Sequence, residues 1–175
     1  MEFNASDLKR VKHFWKAPNM ATHAGLKAVD LFDAIERGGV KAIWIMGTNP
    51  VVSLPDADQV KRALQKAQLV VVSDCIEHTD TSAFAQVLLP AAGWGEKDGT
   101  VTNSERRISR QRGVLTSAGE ARQDWRILTD VARAMGYSSQ FPYQTAGDVF
   151  REHAALTGLA NNGKRQLDIS ELETL

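Results

Sequence analysis

Three polar clusters stand at the ends of apolar runs: Gly47-Thr48-Asn49-Pro50, Ser73-Asp74, and the stretch Pro90–Thr100, which holds Glu96, Lys97 and Asp98. Their residue types suit a nucleotide. Gly47 lets backbone come close to a ligand. Asn49 offers both donors and an acceptor. A carboxylate such as Asp74, closing the second strand of a βαβ unit, can hold a ribose hydroxyl or take two N–H bonds from a guanine edge. Lys97 can neutralise a diphosphate. Each also has a plainer reading. Asn49 before Pro50 initiates turns, Ser73-Asp74 can cap a turn, and Lys97 can be a solvated loop charge. The Gly-x-Gly-x-x-Gly fingerprint and the Gly-x-x-x-x-Gly-Lys-Ser/Thr phosphate loop are both absent, which disfavours an ordinary NAD or FAD site and a P-loop NTPase.

These side chains act together only if the chain brings them to one place. Val40–Met46 is apolar and bounded by glycines, so Ala42–Met46 reads as a buried strand. Gly47–Pro50 reads as a turn. Asp56–Ala67 reads as a helix with Val60, Ala63, Leu64 and Ala67 inward, with Ser53 and Asp56 spaced as a capping box. Leu69–Ser73 follows as a second strand. A short helix near Thr81–Ala85 leads to a third strand, Gln86–Leu89. Strands joined in this way run parallel with right-handed crossovers. Ligands of such a sheet sit beyond the carboxyl ends of its strands, so all three clusters should share one edge. The expected fold is α/β: a three-layer, mostly parallel, Rossmann-like sheet flanked by helices.

The remaining segments frame that unit. Asp7–Trp15 is a candidate short helix with Leu8, Val11 and Trp15 on one side. Gly25–Arg37 carries Ala28, Leu31, Phe32 and Ile35 at helical spacing, and Gly38-Gly39 stops it. Residues 93–119 read as a long functional loop, extended near Arg106–Arg110. Asp124–Met135 predicts a helix with Trp125, Leu128, Ala132 and Met135 on one face, and Thr145–Leu156 the last firm helix. The tail from Gln166 onward is expected to be loosely ordered. The domain reading is therefore an N-terminal segment over 1–24, an α/β domain over 25–157 and a tail over 158–175.

Composition narrows the classes. Lys plus Arg and Asp plus Glu are both 21, so the net charge is zero. A nucleic-acid partner is not expected without surplus positive charge. The apolar stretch Ala83–Trp94 is too short to span a bilayer and contains Pro90 and Gly93, so no membrane insertion is expected. One cysteine, Cys75, excludes an intrachain disulfide and a Cys-rich metal site built by this chain alone. It reads as a packing residue and His78 as a surface histidine. No metal ligands and no catalytic residue are expected. The charged start, with no secretory core, suggests a cytoplasmic protein.

The strings Met46–Pro50, Val70–Asp74 and Val87–Arg107 resemble the molybdopterin oxidoreductases of the dimethyl sulfoxide reductase family, and within it the catalytic subunits of bacterial assimilatory nitrate reductases. The wording EKDGTVTNSERRISRQR followed by GEARQDW is specific as a whole. The likeness runs from about Gly25 to Met135. It implies a mid-chain α/β domain that grips part of a molybdopterin guanine dinucleotide (MGD). The full enzyme would carry bis-MGD molybdenum and, in a Cys-rich segment not in this chain, a [4Fe-4S] cluster. By the same resemblance Asn49 contacts MGD, Ser73 and Asp74 take the guanosine end, and Lys97 lies near the dinucleotide. Asp124 also matches a cofactor-contacting position, although its place before a helix fits an N-cap equally well. Thr100, Asn103 and Arg106 match the wording with less reason for contact. Gln86 stands where the family usually has Asp. The implied partners are the remaining domains of a parent catalytic subunit and an electron-donor protein. The implied activity of the parent is nitrate reduction. A sibling of formate dehydrogenase type, or a stand-alone nucleotide- or cofactor-binding module, is the alternative.

Overall fold

The computed structural model describes residues 3–174. Its described residues divide into two units. One comprises 25–97 and 113–127, the other 3–24, 98–112 and 128–174.

The first unit is built on a parallel sheet. The apolar run Ala42–Met46 forms β1, Leu69–Asp74 forms β2 and Val87–Pro90 forms β3, in the order β1-β2-β3. Ala42 pairs with Leu69, Met46 with Ser73, and Asp74 with Pro90. Between β1 and β2 lies α4 (Ala57–Lys66), and α2 (Ala28–Glu36) precedes β1. The 3.6-residue spacing of both helices turns their apolar residues onto the sheet. Phe32 and Ile35 of α2 and Val60, Ala63 and Leu64 of α4 are buried with Ile45, Val51, Val70 and Val72 as one core. Helix α2 ends where Gly38, at φ 79°, takes a left-handed conformation that a side chain would resist. The sequence-based fold is therefore found: mixed α/β, with a parallel sheet flanked by helices.

Local differences have physical causes. Asp56 is itself the N-cap of α4, its carboxylate accepting from the Gln59 amide at 2.8 Å, so the expected Ser53–Asp56 capping box does not form. Ser53 instead ends a short helix, α3 (Pro50–Ser53), which starts at proline because the first helical position needs no N–H. Beyond β3, Arg122 continues the sheet: its N–H donates to the Pro90 carbonyl at 3.0 Å and its carbonyl accepts from Ala92 at 2.8 Å.

The second unit holds α1 (Ala5–Trp15), an antiparallel hairpin of β4 (Gly99–Thr102) and β5 (Ile108–Gln111), and α6 (Ala146–Gly158). The stretch expected to be a long loop thus contains a paired hairpin. Its turn is closed by the Asn103 side chain, which accepts from the Arg107 amide at 2.9 Å. A reciprocal Thr145–Asp148 capping box opens α6. The tail is better held than expected. Buried Asn161 donates to the Leu167 carbonyl and the Asp168 carboxylate, and Thr157 Oγ1 accepts from the Ile169 amide at 3.0 Å.

Helix α5 (Asp124–Ala134) has residues in both units. It buries Ile127 and Thr129, whereas Leu128 and Met135 of the expected inner face are exposed. Apolar residues occur on both sides of this helix, and a threonine hydroxyl tolerates burial by bonding to backbone, so spacing alone misassigned the face. Among the described residues no helix is long and apolar enough to cross a membrane.

Candidate functional site

The three strands are parallel and in register, so their carboxyl ends lie side by side at strand spacing, about 4.8 Å. The Gly47–Asn49 turn leaves β1, Ser73 and Asp74 end β2, and Pro90 ends β3. Arg122 extends the row, and α5 opens two residues later at Asp124. Asn49, Ser73, Asp74, Lys97 and Asp124 all belong to the first unit.

At the tip of β1, Gly47 has φ 60° and donates to the Ser73 carbonyl at 2.9 Å. A Cβ built there would meet nothing within 4 Å, so the turn is glycine for its backbone angle and faces open space. Asn49 is the N-cap residue of α3, but its side chain does not cap that helix. Its Oδ1 instead accepts from Thr81 Oγ1 at 2.6 Å, and its Nδ2 lies 3.5 Å from Asp80 Oδ2. The fully buried Thr81 is held in turn by the Val51 amide, which donates to its Oγ1 at 3.2 Å. The orientation of the Asn49 amide is therefore set from below, with Nδ2 N–H capacity left toward solvent.

At the tip of β2, Ser73 is fully buried and its Oγ accepts from the Trp44 indole at 2.8 Å. Its carbonyl takes the Gly47 N–H, so Ser73 binds the β1 turn to the central strand. Asp74 is half-buried. Its Oδ1 accepts from the Ile76 amide at 3.1 Å, and Oδ2 has no hydrogen-bond partner among the described residues. A carboxylate with one oxygen fixed and the other open is suited to accept from a ligand's N–H or O–H.

Lys97 and Asp124 meet: Nζ stands 2.7 Å from Oδ2, with side chains 29% and 41% exposed. Asp124 occupies the first helical position. Gln123 precedes the helix, and its carbonyl accepts from Arg126 and Ile127. The N-cap reading of Asp124 is thus replaced by a partly exposed ion pair. The loop before Lys97 is fixed by Glu96, whose carboxylate takes the Gly93 amide at 2.9 Å, and by Gly113, where a Cβ would press on the Glu96 backbone at 3.3 Å.

Sequence reasoning passed over Thr81 and Glu96, and read Trp44 only as a core or ligand-wall aromatic, not as the donor that holds Ser73. Only the short polar run Asp80-Thr81-Ser82 signalled a buried hydroxyl network. Gln86 has a definite role: its side-chain oxygen accepts from the Val70 amide at 2.6 Å, satisfying the start of β2. Thr100, Asn103 and Arg106 belong to the hairpin of the second unit, where Arg106 donates to Gln166 at 2.7 Å. Arg110 stands 3.6 Å from Asp98. Cys75 is exposed rather than packed, and His78 is exposed as expected.

The chain matches the family model described as molybdopterin oxidoreductase over residues 3–134. It is 54% identical over 175 residues to a nitrate reductase of Klebsiella oxytoca, covering 100% of this chain and 20% of that protein. It is 39% identical over 149 residues to the F420-dependent formate dehydrogenase subunit alpha of Methanocaldococcus jannaschii, covering 85% of this chain and 22% of the relative. Among solved structures, acetylene hydratase from Pelobacter acetylenicus matches with a TM-score of 0.65 at 22% identity, over 83% of this chain and 20% of that one. The chain spans about a fifth of the length of the relatives it matches.

Proposed function

The chain belongs to the molybdopterin oxidoreductase family, and from that premise we propose that it is a cofactor-gripping domain of a longer molybdenum nitrate reductase catalytic polypeptide. The observation that supports this reading is the parallel register that ends β1, β2 and β3 at one sheet edge, where Ser73 and Asp74 lie beside the open glycine backbone of Gly47. An amide held in one orientation, a carboxylate with an open oxygen and an ammonium match the donors and acceptors of a guanylated pterin with a diphosphate, so the residues fit the group.

In this proposal Asp74 accepts from the guanine edge or the ribose of MGD. Ser73 serves the same end from beneath, by fixing the Trp44 indole and the Gly47 turn. Asn49 donates through Nδ2. Lys97 faces the diphosphate, and Asp124 holds its ammonium in place while leaving N–H donors free. The bound molybdenum cofactor supplies the oxygen-atom transfer that converts nitrate to nitrite, while the protein binds and orients it. This chain contributes no catalytic residue and part of the grip. A bis-MGD molybdenum centre, a [4Fe-4S] cluster elsewhere in the parent, an electron-donor protein and a cytoplasmic role in nitrate assimilation belong to the same proposal.

The 39% identity to a formate dehydrogenase subunit supports a second reading, in which the parent acts on formate. One experiment separates the two. The reading frame surrounding this chain is expressed whole and assayed with nitrate and a reduced viologen, then with formate and an oxidised one. Nitrate turnover by the parent and none by the isolated chain is expected. Turnover of formate alone favours the second reading. Nitrate turnover by this chain alone, or a frame that ends at Met1 and Leu175, overturns the domain reading in favour of a stand-alone protein.

A further inference from the structure

The second unit holds a cavity of about 520 Å³ between α1 and the C-terminal end of α6. That volume lies in the range of small-molecule sites. The two helices are tied together at Trp15, which lines the cavity and whose indole donates to Glu152 Oε1 at 3.0 Å. Val11, Trp15 and Leu156 give the cavity an apolar wall. Its charged lining is lopsided: Arg10, Lys164 and Arg165 stand against Asp7 alone.

The negative groups there are already engaged, and the positive ones only in part. Asp7 accepts from Asn4 Nδ2 at 2.9 Å and from Arg10 Nη1 at 3.0 Å. Glu152 also accepts from the Tyr143 hydroxyl at 2.6 Å. The Asp168 carboxylate, which acts on Arg165, accepts from Asn161 and Ser170. A helix C-terminus repels an anion through its unpaired carbonyls. Arg165 removes that obstacle, because its Nη2 donates to the Thr157 and Leu159 carbonyls, both at 2.9 Å. The turn that returns Arg165 to the helix end passes through three left-handed residues, Ala160 at φ 50°, Asn162 at φ 43° and Gly163 at φ 76°. Alanine resists that conformation, so the return is built at a cost. Among the described residues Nε and Nη2 of Arg10, Nε and Nη1 of Arg165 and the whole Lys164 ammonium have no hydrogen-bond partner. Three cationic side chains thus keep N–H donors beside an apolar wall.

We propose that this cavity is a binding site for a small amphipathic anion, a carboxylate or phosphate carried on an apolar body. The head group takes N–H donors from Arg10, Lys164 and Arg165, since a guanidinium fork matches carboxylate and phosphate oxygens alike. The body lies against Val11, Trp15 and Leu156 and leaves water. A neutral or cationic molecule of the same shape gains the apolar contact without the head-group bonds. Every residue of this site belongs to the second unit, whereas Asn49, Ser73, Asp74, Lys97 and Asp124 belong to the first. The site therefore goes beyond the cofactor-gripping reading and does not depend on it.

The probes are octanoate and octyl phosphate, with octanol and octylammonium as controls. Each is titrated by calorimetry into this chain and into the product of its whole reading frame, and the Trp15 indole N–H resonance reports locally in the chain. Both anions should bind with Kd on the order of a millimolar, as suits ligands of this size, and the controls about tenfold more weakly. The tighter anion identifies the head group. Lys164→Met should weaken both about fivefold and leave the urea unfolding midpoint unchanged, because that ammonium has no partner within the described residues. Val11→Glu should abolish binding, and GDP should displace neither anion. No binding of either anion at about tenfold that concentration, equal binding of octanol, or affinity unchanged by Lys164→Met overturns the proposal. So does displacement by GDP, which puts the probe at the sheet edge. Loss of binding in the whole product also overturns it, by showing the cavity filled there by further chain. None of these outcomes bears on the proposed function, which turnover of nitrate by the parent decides.

Discussion

The Asp74 carboxylate makes a graded prediction with nucleoside diphosphates. One oxygen already accepts from the Ile76 amide at 3.1 Å, but a carboxylate oxygen has a second lone pair, and Oδ2 is open. Guanine presents two adjacent donors, N1–H and the 2-amino group, to such a pair. Each bond to a half-exposed carboxylate contributes about 1.4 kcal/mol, at the low end for charged acceptors, or about tenfold in affinity. GDP is expected to bind weakly, with Kd on the order of a millimolar, because on the proposed reading this chain supplies only part of the grip. IDP, lacking the 2-amino group, should bind about tenfold more weakly, and ADP about a hundredfold. Asp74→Ala should make GDP behave like ADP. If the carboxylate holds the ribose instead, GDP, IDP and ADP bind alike and 2′-deoxy-GDP loses the tenfold. The assay is calorimetric titration paired with the Ile76 amide resonance, whose N–H sits on Asp74. Submicromolar binding of GDP would contradict the half-site logic. Equal binding of all four nucleotides, unchanged by Asp74→Ala, would refute any contact at that residue.

A double-mutant cycle with Lys97→Met and Asp124→Asn should return a coupling of about 0.5–1 kcal/mol in urea unfolding, as befits a partly exposed pair; zero coupling would mean the contact does not persist in solution. Leu64→Ala, in the core under the sheet, should cost about 2–5 kcal/mol by the same method, and a loss below 1 would show that α4 does not pack as described. Gly158→Ala should displace the C-terminal turn, because a Cβ there would lie 2.5 Å from the Ser170 Cβ; limited proteolysis should cut the tail faster, and an unchanged pattern would deny that contact. Asp148 takes the backbone N–H groups of Gln144 and Thr145, which lowers its pKa to about 2. Its contribution to α6 is complete above the ordinary carboxylate pKa of about 4 and is lost as pH falls toward 2. Acid titration of the Asp148 carboxyl by NMR should find a midpoint near 2 rather than near 4.

Much of the sheet could be read from sequence because each strand is a bounded apolar run and each preceding helix has one clean stripe. Ala42–Met46 was recovered residue for residue, and α4 buried Val60, Ala63 and Leu64 as its spacing required. The failures lie where that signal is missing. The hairpin over β4 and β5 alternates poorly, with mostly exposed residues on both strands. Its pairing depends on the Asn103 turn, which leaves no periodic trace. The tail is held by buried polar side chains, Asn161 and Thr157, and composition cannot distinguish a clamped polar residue from a solvated one.

The site divides along the same line. That Asn49, Ser73 and Asp74 belong to one sheet edge followed from parallel topology, since the ends of adjacent parallel strands lie side by side, whereas Asp124 entered only through the family resemblance. How they are held did not follow. Asn49 is oriented by Thr81, 32 residues later in the chain, and Lys97 by Asp124, 27 residues later. Both supports depend on tertiary closure. On the proposed function they also account for an anion being held by a chain of zero net charge. Asp124 draws on only one of the Lys97 N–H donors, and the Asn49 amide brings N–H capacity without charge. A cradle of this kind recognises by placement of donors and acceptors rather than by excess charge. Salt should accordingly weaken its ligand far less than it weakens a phosphate-backbone binder, whose affinity falls steeply with each released counterion. A steep salt dependence of GDP binding would instead place the ligand on the arginines of the hairpin unit.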